Sequence, residues 1–482
     1  MTVLLGVDVG TTATKAVLLD PGGGIVGEAE RPVRLYSPHP GWAEEDTEEW
    51  WGNVRELTRE LAAPRKIAAV GFSGMVPCVI LLDEAGQVLR RSIQQNDARA
   101  IEQIRKLRER LAEARVLERT GSPITQQSVG PTLMWLAEHE SEAWGRARAV
   151  VGSYDLMAFR MTGERTVEAN WALESGLYDL HDDRWARDIV EAAGADAALL
   201  PPVRRAHEVV GHVTDEAAAE TGIPTGTPVV AGSADHVASA FAAGIVDEGD
   251  LLVKLGGAGD ILLATGTPLV DPRLYLDFHL VPGRYMPNGC MAASGSLILW
   301  FQRNIAAGAS LEELDREAEA AGPGAGGVVA LPYFLGEKTP INDPEARGAF
   351  VGLHLGHDRG HLFRAVLEAI AFGFRHHVDV FTERGHPPRR VRVTNGGARS
   401  WVWTQVTADV LGMPLEKLAS RGGSAVGAAF AAGMGIGAFS DWREIDRFLE
   451  VADVVEPRGD DAYERAYRSY RALYPAMREV MT

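Results

Sequence analysis

The sequence predicts an α/β protein of two domains, each built on a mixed β-sheet flanked by helices. Three observations carry that expectation. The first twenty residues read as strand, glycine turn, strand, with the apolar run Val3 to Asp8, the turn Gly10-Thr11-Thr12, and a second apolar run from Ala16 to Leu19. The same design returns near residue 250, where Leu251 to Leu255 leads through Gly256-Gly257-Ala258-Gly259 into Asp260 to Ala264. Elsewhere strand-like and helix-like patterns alternate, which is how mixed α/β sheets are written. A chain of 482 residues also exceeds what one hydrophobic core usually supports.

The first domain opens as a three-strand antiparallel meander from Thr2 to about Arg34, punctuated by the threonine turn and by Pro21-Gly22-Gly23-Gly24. Helical spacing follows from Asp46, a plausible N-cap, through Trp50, Val54, Leu57 and Leu61, with Pro64 closing the helix. Ile67 to Phe72 reads as a buried strand, and Val79 to Leu82 with Asp83-Glu84-Ala85-Gly86 as a strand and turn. Helices are expected over Ala98 to Leu117 and Thr132 to His139, a new ordered segment from Val150, and a polar strand pair over residues 166 to 180. The turn-rich run from Gly222 to Pro228 leads into the strand Val229 to Gly232, then Ser233-Ala234-Asp235-His236 and a small-residue helix to about Ala243.

The domain boundary is expected near Gly244 to Gly249, giving domains 1–245 and 246–482. Beyond the second hairpin, Pro323 to Gly327 reads as a mobile loop and Val328 to Leu331 as a strand. Leu362 to Val378 has strong helical periodicity, and Arg390 to Val393 is a strand feeding Asn395-Gly396-Gly397-Ala398. Ser424 to Phe439, rich in Gly and Ala, is shorter than the roughly 20 residues needed to span a bilayer, so it is expected to be a tightly packed core helix.

Composition excludes several function classes. A net charge of −18 argues against a nucleic-acid or anionic-membrane partner, because those surfaces need basic patches. Cys78 and Cys290 cannot form a disulfide framework and have no metal-ligand spacing. The N-terminus lacks a basic stretch ahead of its apolar residues and is expected to be a first strand rather than a signal peptide, which fits a cytoplasmic location. The oligomeric state is left open, with a homodimer among the options.

Five constellations carry chemistry. Asp8 with Gly10, Thr11, Thr12 and Lys15 suits a polyphosphate: the turn bares N–H groups and hydroxyls, Lys15 adds charge, and Asp8 reaches an accompanying Mg²⁺. A plain hairpin with polar turn residues is the bland alternative, weakened by the second hairpin at Gly256 and Gly257. Gly396, Gly397 and Ala398 leave bare backbone at a strand-to-helix junction, where adenine and ribose can approach. Asp235 stands at a strand end ahead of a helix, and phosphoryl transfer to an alcohol needs a positioned base there; it could equally be an N-cap. His236 beside it, and the cluster Gln94-Gln95-Asn96-Asp97-Ala98-Arg99, suit a neutral polyhydroxylated ligand, although Asp97 could serve only as a helix cap.

In this order the motifs resemble the FGGY family of carbohydrate kinases along essentially the whole chain. The resemblance rests on Asp8-Val9-Gly10-Thr11-Thr12, Asn96-Asp97-Ala98-Arg99, Gly232-Ser233-Ala234-Asp235 and Asn395-Gly396-Gly397-Ala398. It rests also on Pro332-Tyr333-Phe334-Leu335-Gly336-Glu337-Lys338-Thr339-Pro340 followed by Asp343-Pro344-Glu345-Ala346-Arg347-Gly348. It implies two ribonuclease-H-like, actin-related domains with a cleft between them, sugar held mainly by the first and ATP with Mg²⁺ mainly by the second. By position, Asp235 corresponds to the catalytic base and a metal-associated group, and Asp8 to the catalytic, metal-associated aspartate. Thr11, Thr12, Lys15, Gly256 and Gly257 correspond to phosphate contacts; Gly396, Gly397 and Ala398 to adenosine contacts; Met75, Asn96, Asp97, Asp235 and His236 to substrate contacts.

Within the family the chain is most similar to xylulose kinases, through Phe72-Ser73-Gly74 and Leu81 to Gly86. It departs from them in carrying Met75-Val76-Pro77-Cys78 where a Gln-Met-His-Gly run is typical, and Gln95 where a Trp is typical. Both departures fall where the sugar is expected, and losing an imidazole at Pro77 removes a hydrogen-bonding group of the kind by which such sites discriminate. The expected activity is therefore ATP-dependent phosphorylation of a small sugar or polyol, a ketopentose such as xylulose first, with glycerol, erythritol or another pentose as alternatives. An actin- or Hsp70-like ATP-binding switch and a silent sugar sensor are the rival classes.

Overall fold

Two apolar strands joined by a short turn of small residues are placed to pair as a hairpin, and the chain begins in this way. In the computed structural model, which describes residues 2–62, 65–111, 113–419 and 423–481, β1 (Thr2–Val9), β2 (Ala13–Asp20) and β3 (Gly24–Pro32) form the expected antiparallel meander. Helix α1 (Thr47–Ala62) starts where Asp46 accepts the amide of Glu48, and buries Trp50, Val54, Leu57 and Leu61 on one face. Pro64, expected to close it, lies outside the described residues.

The chain divides into two compact units that are not continuous halves. Unit 1 comprises 1–246, 267–286 and 421–448; unit 2 comprises 247–266, 287–420 and 449–482. The sheet of unit 1 adds β4 (Lys66–Gly74), β5 (Val209–His212), β6 (Pro228–Val230) and the short β7 (Ser233–Ala234), in the order β5-β6-β4-β1-β2-β3 with β7 also on β4. The pairings β1–β4, β6–β4 and β7–β4 are parallel, so these strands end at the same edge. Helix α2 (Asp235–Ala242) leaves directly from β7.

The helix Gly423–Gly435 covers this sheet, and its composition explains how closely it can lie. A Cβ on Gly6 would stand 1.9 Å from the Ala425 carbonyl oxygen, and one on Gly71 would stand 2.1 Å from that of Ala428. Both neighbours are backbone and cannot step aside. Gly71→Ala is therefore expected to cost about 3 kcal/mol, the upper end for overpacking, read as a lower chemical-unfolding midpoint; an unchanged midpoint would contradict the close packing.

In unit 2, β8 (Asp250–Leu255) and β9 (Gly259–Leu263) form the second hairpin. From β10 (Tyr285–Met291) onward the sheet runs β9, β8, β11 (Arg390–Thr394), β12 (Leu415–Leu418), β13 (Val451–Val455), with β8–β11 and β11–β12 parallel. Helices α3 (Gly295–Asn304), α4 (Arg359–Glu383) and α5 (Trp401–Leu411) belong to this unit, and α4 extends the periodic segment at both ends.

Three local expectations are corrected. Residues 166 to 180 are not a strand pair: Glu168 accepts the amide of Asn170 and starts a short helix, Ala169–Glu174, that buries Trp171 completely. Their two short strands pair elsewhere, Val167 with Val203 and Tyr178 with Trp185. The single helix expected over Ala98 to Leu117 is two, Ile101–Arg110 and Glu113–Thr120, because Leu111 is extended; the break lets both Leu107 and Val116 bury. Pro323 to Gly327 is a tight turn rather than a loose loop, held by Gly324 N–H on the buried Glu368 with Ala325 fully enclosed.

Candidate active site

Parallel strands bring their C-terminal ends, and whatever follows them, to one edge. In unit 1 the register sets Asp8 opposite Ser73 and Ala234 opposite Gly74, so Asp8, Met75 and Asp235 gather at the shared end of β1, β4 and β7. Asp8 is 7 % exposed and accepts the hydroxyl of Ser73 at 2.8 Å. Its carboxyl is pushed up to about 6, first by burial and then by the charge of Asp235; Ser73, Ser424 and Lys15 oppose the shift. The charge of Asp235 thus reaches Asp8 across this edge. Asp235 is half-open to solvent, its side chain about one-third exposed.

The neighbouring residues divide in what they do. Thr11 and Thr12 are exposed at the tip of the β1–β2 turn. Lys15 stands opposite Asp8 on β2 and lies 3.5 Å from Glu30, an ion pair in open solvent that adds little stability. Met75 is buried, its backbone carbonyl accepting the Ser153 hydroxyl at 2.8 Å. Asn96 is exposed. Asp97 is buried and fully engaged: it accepts the amides of Ala43 and Arg99 and the guanidinium of Arg99, which also reaches Glu44 and lies 3.8 Å over the Trp42 ring. The contacts of Asp97 brace the Trp42–Glu45 segment.

Sequence reasoning missed two groups beside Asp235. His236 Nε2 lies 2.7 Å from Asp277 on the short strand Tyr275–Phe278, and 3.8 Å from Glu174; its Nδ1 lies 3.5 Å from Asp235. Burial disfavours a charged imidazole, but Asp277, Asp235 and Glu174 outweigh it and hold His236 well above its ordinary value. Glu174 moves up as well, through burial and then the charge of Asp277. Asp277 follows the expected domain boundary by some way and has no motif around it, so only the return of residues 267–286 to unit 1 reveals it.

In unit 2 the same logic assembles a glycine-lined edge. Lys254 on β8 pairs with Thr394 on β11, so the turns that follow, Gly256-Gly257 and Asn395 to Ala398, lie side by side. Gly256 and Gly257 present their carbonyls to the amides of Ser294, Gly295 and Ser296 at the start of α3. Gly397 lies under Trp403 and Leu255, where a Cβ would meet the indole at 2.1 Å, and Ala398 is buried in the turn. Gly257 has open space where a Cβ would be, so its backbone is accessible to a ligand. Lys254 pairs with Asp260 at 3.4 Å beneath this turn. Ser400 caps α5 through the amide of Trp403 and donates to Asp315.

No helix among the described residues is long and apolar enough to cross a membrane. The family model for the FGGY family of carbohydrate kinases, N-terminal domain, matches residues 3–242, and that for the C-terminal domain matches 251–436. The chain is 30 % identical to a xylulose kinase of Bacillus subtilis (strain 168), over 100 % of this chain and 98 % of the relative. It is 28 % identical to one of Staphylococcus epidermidis (strain ATCC 12228 / FDA PCI 1200), over 99 % and 97 %. Among solved structures, xylulose kinase from Rhodospirillum rubrum superposes with a TM-score of 0.95 at 46 % identity, covering 99 % of both chains. Plasmodium falciparum glycerol kinase with ADP shares the fold, with a TM-score of 0.89 at 20 % identity over 99 % and 98 % of the two chains. The two mixed sheets, the paired glycine turns and the family models agree, and the chain belongs to the FGGY family of carbohydrate kinases as a sugar kinase.

Proposed function

We propose that this sugar kinase transfers the γ-phosphoryl group of ATP to a hydroxyl of a ketopentose, xylulose first, with Asp235 accepting the hydroxyl proton. The observation that carries the reading is the meeting of Asp8 and Asp235 at one strand edge, close enough for the charge of Asp235 to push the Asp8 carboxyl up. Asp235 is the more exposed of the two and so the one an acceptor hydroxyl can reach. In a loose phosphoryl-transfer transition state the hydroxyl stays protonated until late, and a carboxylate within hydrogen-bond reach orients it and then takes its proton.

Asp8 and Asp235 suit a divalent cation, because two carboxylates in conflict at a partly buried edge are relieved by one. They would hold Mg²⁺, which neutralises phosphate charge when bound. Thr11, Thr12 and Lys15 in unit 1, and the backbone of Gly256 and Gly257 in unit 2, are suited to phosphate oxygens. Adenosine is assigned to the turn Gly396-Gly397-Ala398, where the exposed Gly396 offers bare backbone while Gly397 and Ala398 pack inward and set the turn. The acidic surroundings of Asp235 favour a neutral acceptor, and Met75 and Asn96 are the groups assigned to it; for Asp97 the same role competes with its engagement by Arg99 and Ala43, and for His236 with its engagement by Asp277.

The xylulose assignment draws on the relatives named above. A second reading, a family kinase for another ketose or polyol, is favoured by Pro77 and Gln95 in place of hydrogen-bonding or aromatic groups. An ADP-release assay over D-xylulose, L-xylulose, D-ribulose, L-ribulose, erythritol and glycerol separates them. Highest kcat/KM for D-xylulose is the expected result; a preference for any other acceptor overturns the substrate, and no sugar-dependent release with any acceptor overturns the reading.

A further inference from the structure

Behind Asp235 stand two carboxylates, Asp277 and Glu174, that face His236. Asp277 is 1 % exposed, and its Oδ2 lies 2.7 Å from His236 Nε2. That is hydrogen-bond length, so the ring nitrogen carries its proton toward Asp277. Glu174, His236 and Asp277 bring ligand atoms within 4.8 Å of one another. A metal ion would need a free lone pair on Nε2, and a nitrogen that carries its proton toward Asp277 has none to give, so the trio reads as a hydrogen-bonded support. Its far end is Asp235, 3.5 Å from Nδ1 of the same ring.

The support is itself rigidly mounted. The buried side chain of Asn170 donates to the Phe278 carbonyl at 3.0 Å and accepts the Phe278 amide at 2.7 Å, clamping the strand that carries Asp277 to the short helix that carries Glu174. A ring held at one nitrogen by a fixed carboxylate has one orientation for the other nitrogen. Groups held in this way keep a reacting side chain within the tolerance that catalysis requires.

We propose that Asp277 is a positioning residue for phosphoryl transfer: by gripping His236 at Nε2 it turns Nδ1 toward Asp235 and holds that carboxylate toward the acceptor hydroxyl. This rests on the reading of Asp235 as the base. No covalent step is added. Asp277 neither touches the substrate nor changes its own bonding in the reaction, and its effect is confined to the step that Asp235 performs.

The test is a mutant cycle on the full chain, read as sugar-dependent ADP release together with ATP-analogue binding by calorimetry. Asp277→Asn and His236→Asn are each expected to lower kcat roughly tenfold to a hundredfold, the usual range for lost supporting contacts, with the KM for ATP unchanged. Combined, they should cost no more than either alone, and neither should lower the residual activity of Asp235→Asn further. Wild-type kcat in Asp277→Asn, or losses that multiply onto Asp235→Asn, would overturn the proposal while leaving Asp235 as base. An active Asp235→Asn enzyme would remove the base and the proposal together. Asp277→Asn keeps the volume and an acceptor oxygen; if it nevertheless lowers the melting temperature, His236→Asn provides the same comparison from the other side of the contact.

Discussion

Asp235→Ala is expected to lower sugar-dependent ADP release by roughly 10³-fold, the middle of the range for loss of a positioned general base. The loss should appear equally in kcat and in kcat/KM for the sugar, because proton acceptance develops only in the transition state. Binding of an ATP analogue, measured by calorimetry, should stay within a few-fold of wild type, since the groups assigned to the nucleotide lie elsewhere in the chain. The structural ground is that Asp235 begins α2 with its carboxylate partly open to solvent and beside Asp8, whereas Asp97 and Asp277 are buried against internal partners. An Asp235→Ala enzyme with near-normal turnover would remove the assigned base.

Asp8→Asn should separate activity from stability. Holding the Asp8 carboxylate ionised in the fold is unfavourable, since burial and then Asp235 raise it from 3.8 to about 6. The unfolded chain releases that proton near 4, and the folded one only near 6. Stability from this group therefore falls as pH rises through that window, and the penalty of about 3 kcal/mol is complete above about 6. Asn keeps the shape and an acceptor for Ser73 but never ionises. The ligand-free Asp8→Asn protein is expected to melt above wild type at pH 8 and level with it near pH 4. The same change removes a charge assigned to the cation, so turnover should drop by roughly 10²-fold or more, equivalent to several kcal/mol of transition-state stabilisation. A variant that melts no higher at pH 8, or that turns over normally, would contradict the assigned conflict of charges.

Legibility follows how locally each feature is determined. The two hairpins are readable because alternating small and apolar residues fix strand and turn within a short span of chain. The Asp235 turn is readable because a short apolar run, a carboxylate and a small-residue helix succeed one another without interruption. The helix Gly423–Gly435 declares itself by composition, since only Gly and Ala let it lie against Gly6 and Gly71. Residues 166 to 180 mislead because β-branched and aromatic side chains suggest strands, while the deciding event is one side-chain cap, Glu168 on Asn170. Leu111 breaks a helix that the periodicity runs straight through.

The site residues show the same division. Asp8 and Asp235 carry local motifs, whereas Asp277 reaches His236 only through a segment that leaves unit 1 at residue 246 and returns at 267. Glu174 is hidden inside the expected strand pair. The polarity of Asp97 is legible in the sequence, but its internal engagement is not: its four accepted hydrogen bonds come from Ala43 and Arg99, a pairing that spacing alone does not reveal.

One encounter decides the mechanism, that of the acceptor hydroxyl with the carboxylate at the start of α2. A crystal structure of the Asp235→Asn protein with an ATP analogue, Mg²⁺ and the sugar selected by the release assay would observe it directly. One sugar hydroxyl is predicted at about 3 Å from the side chain at position 235, with the terminal phosphoryl group on its other side. A sugar bound with every hydroxyl out of hydrogen-bond reach of that side chain would contradict the mechanism.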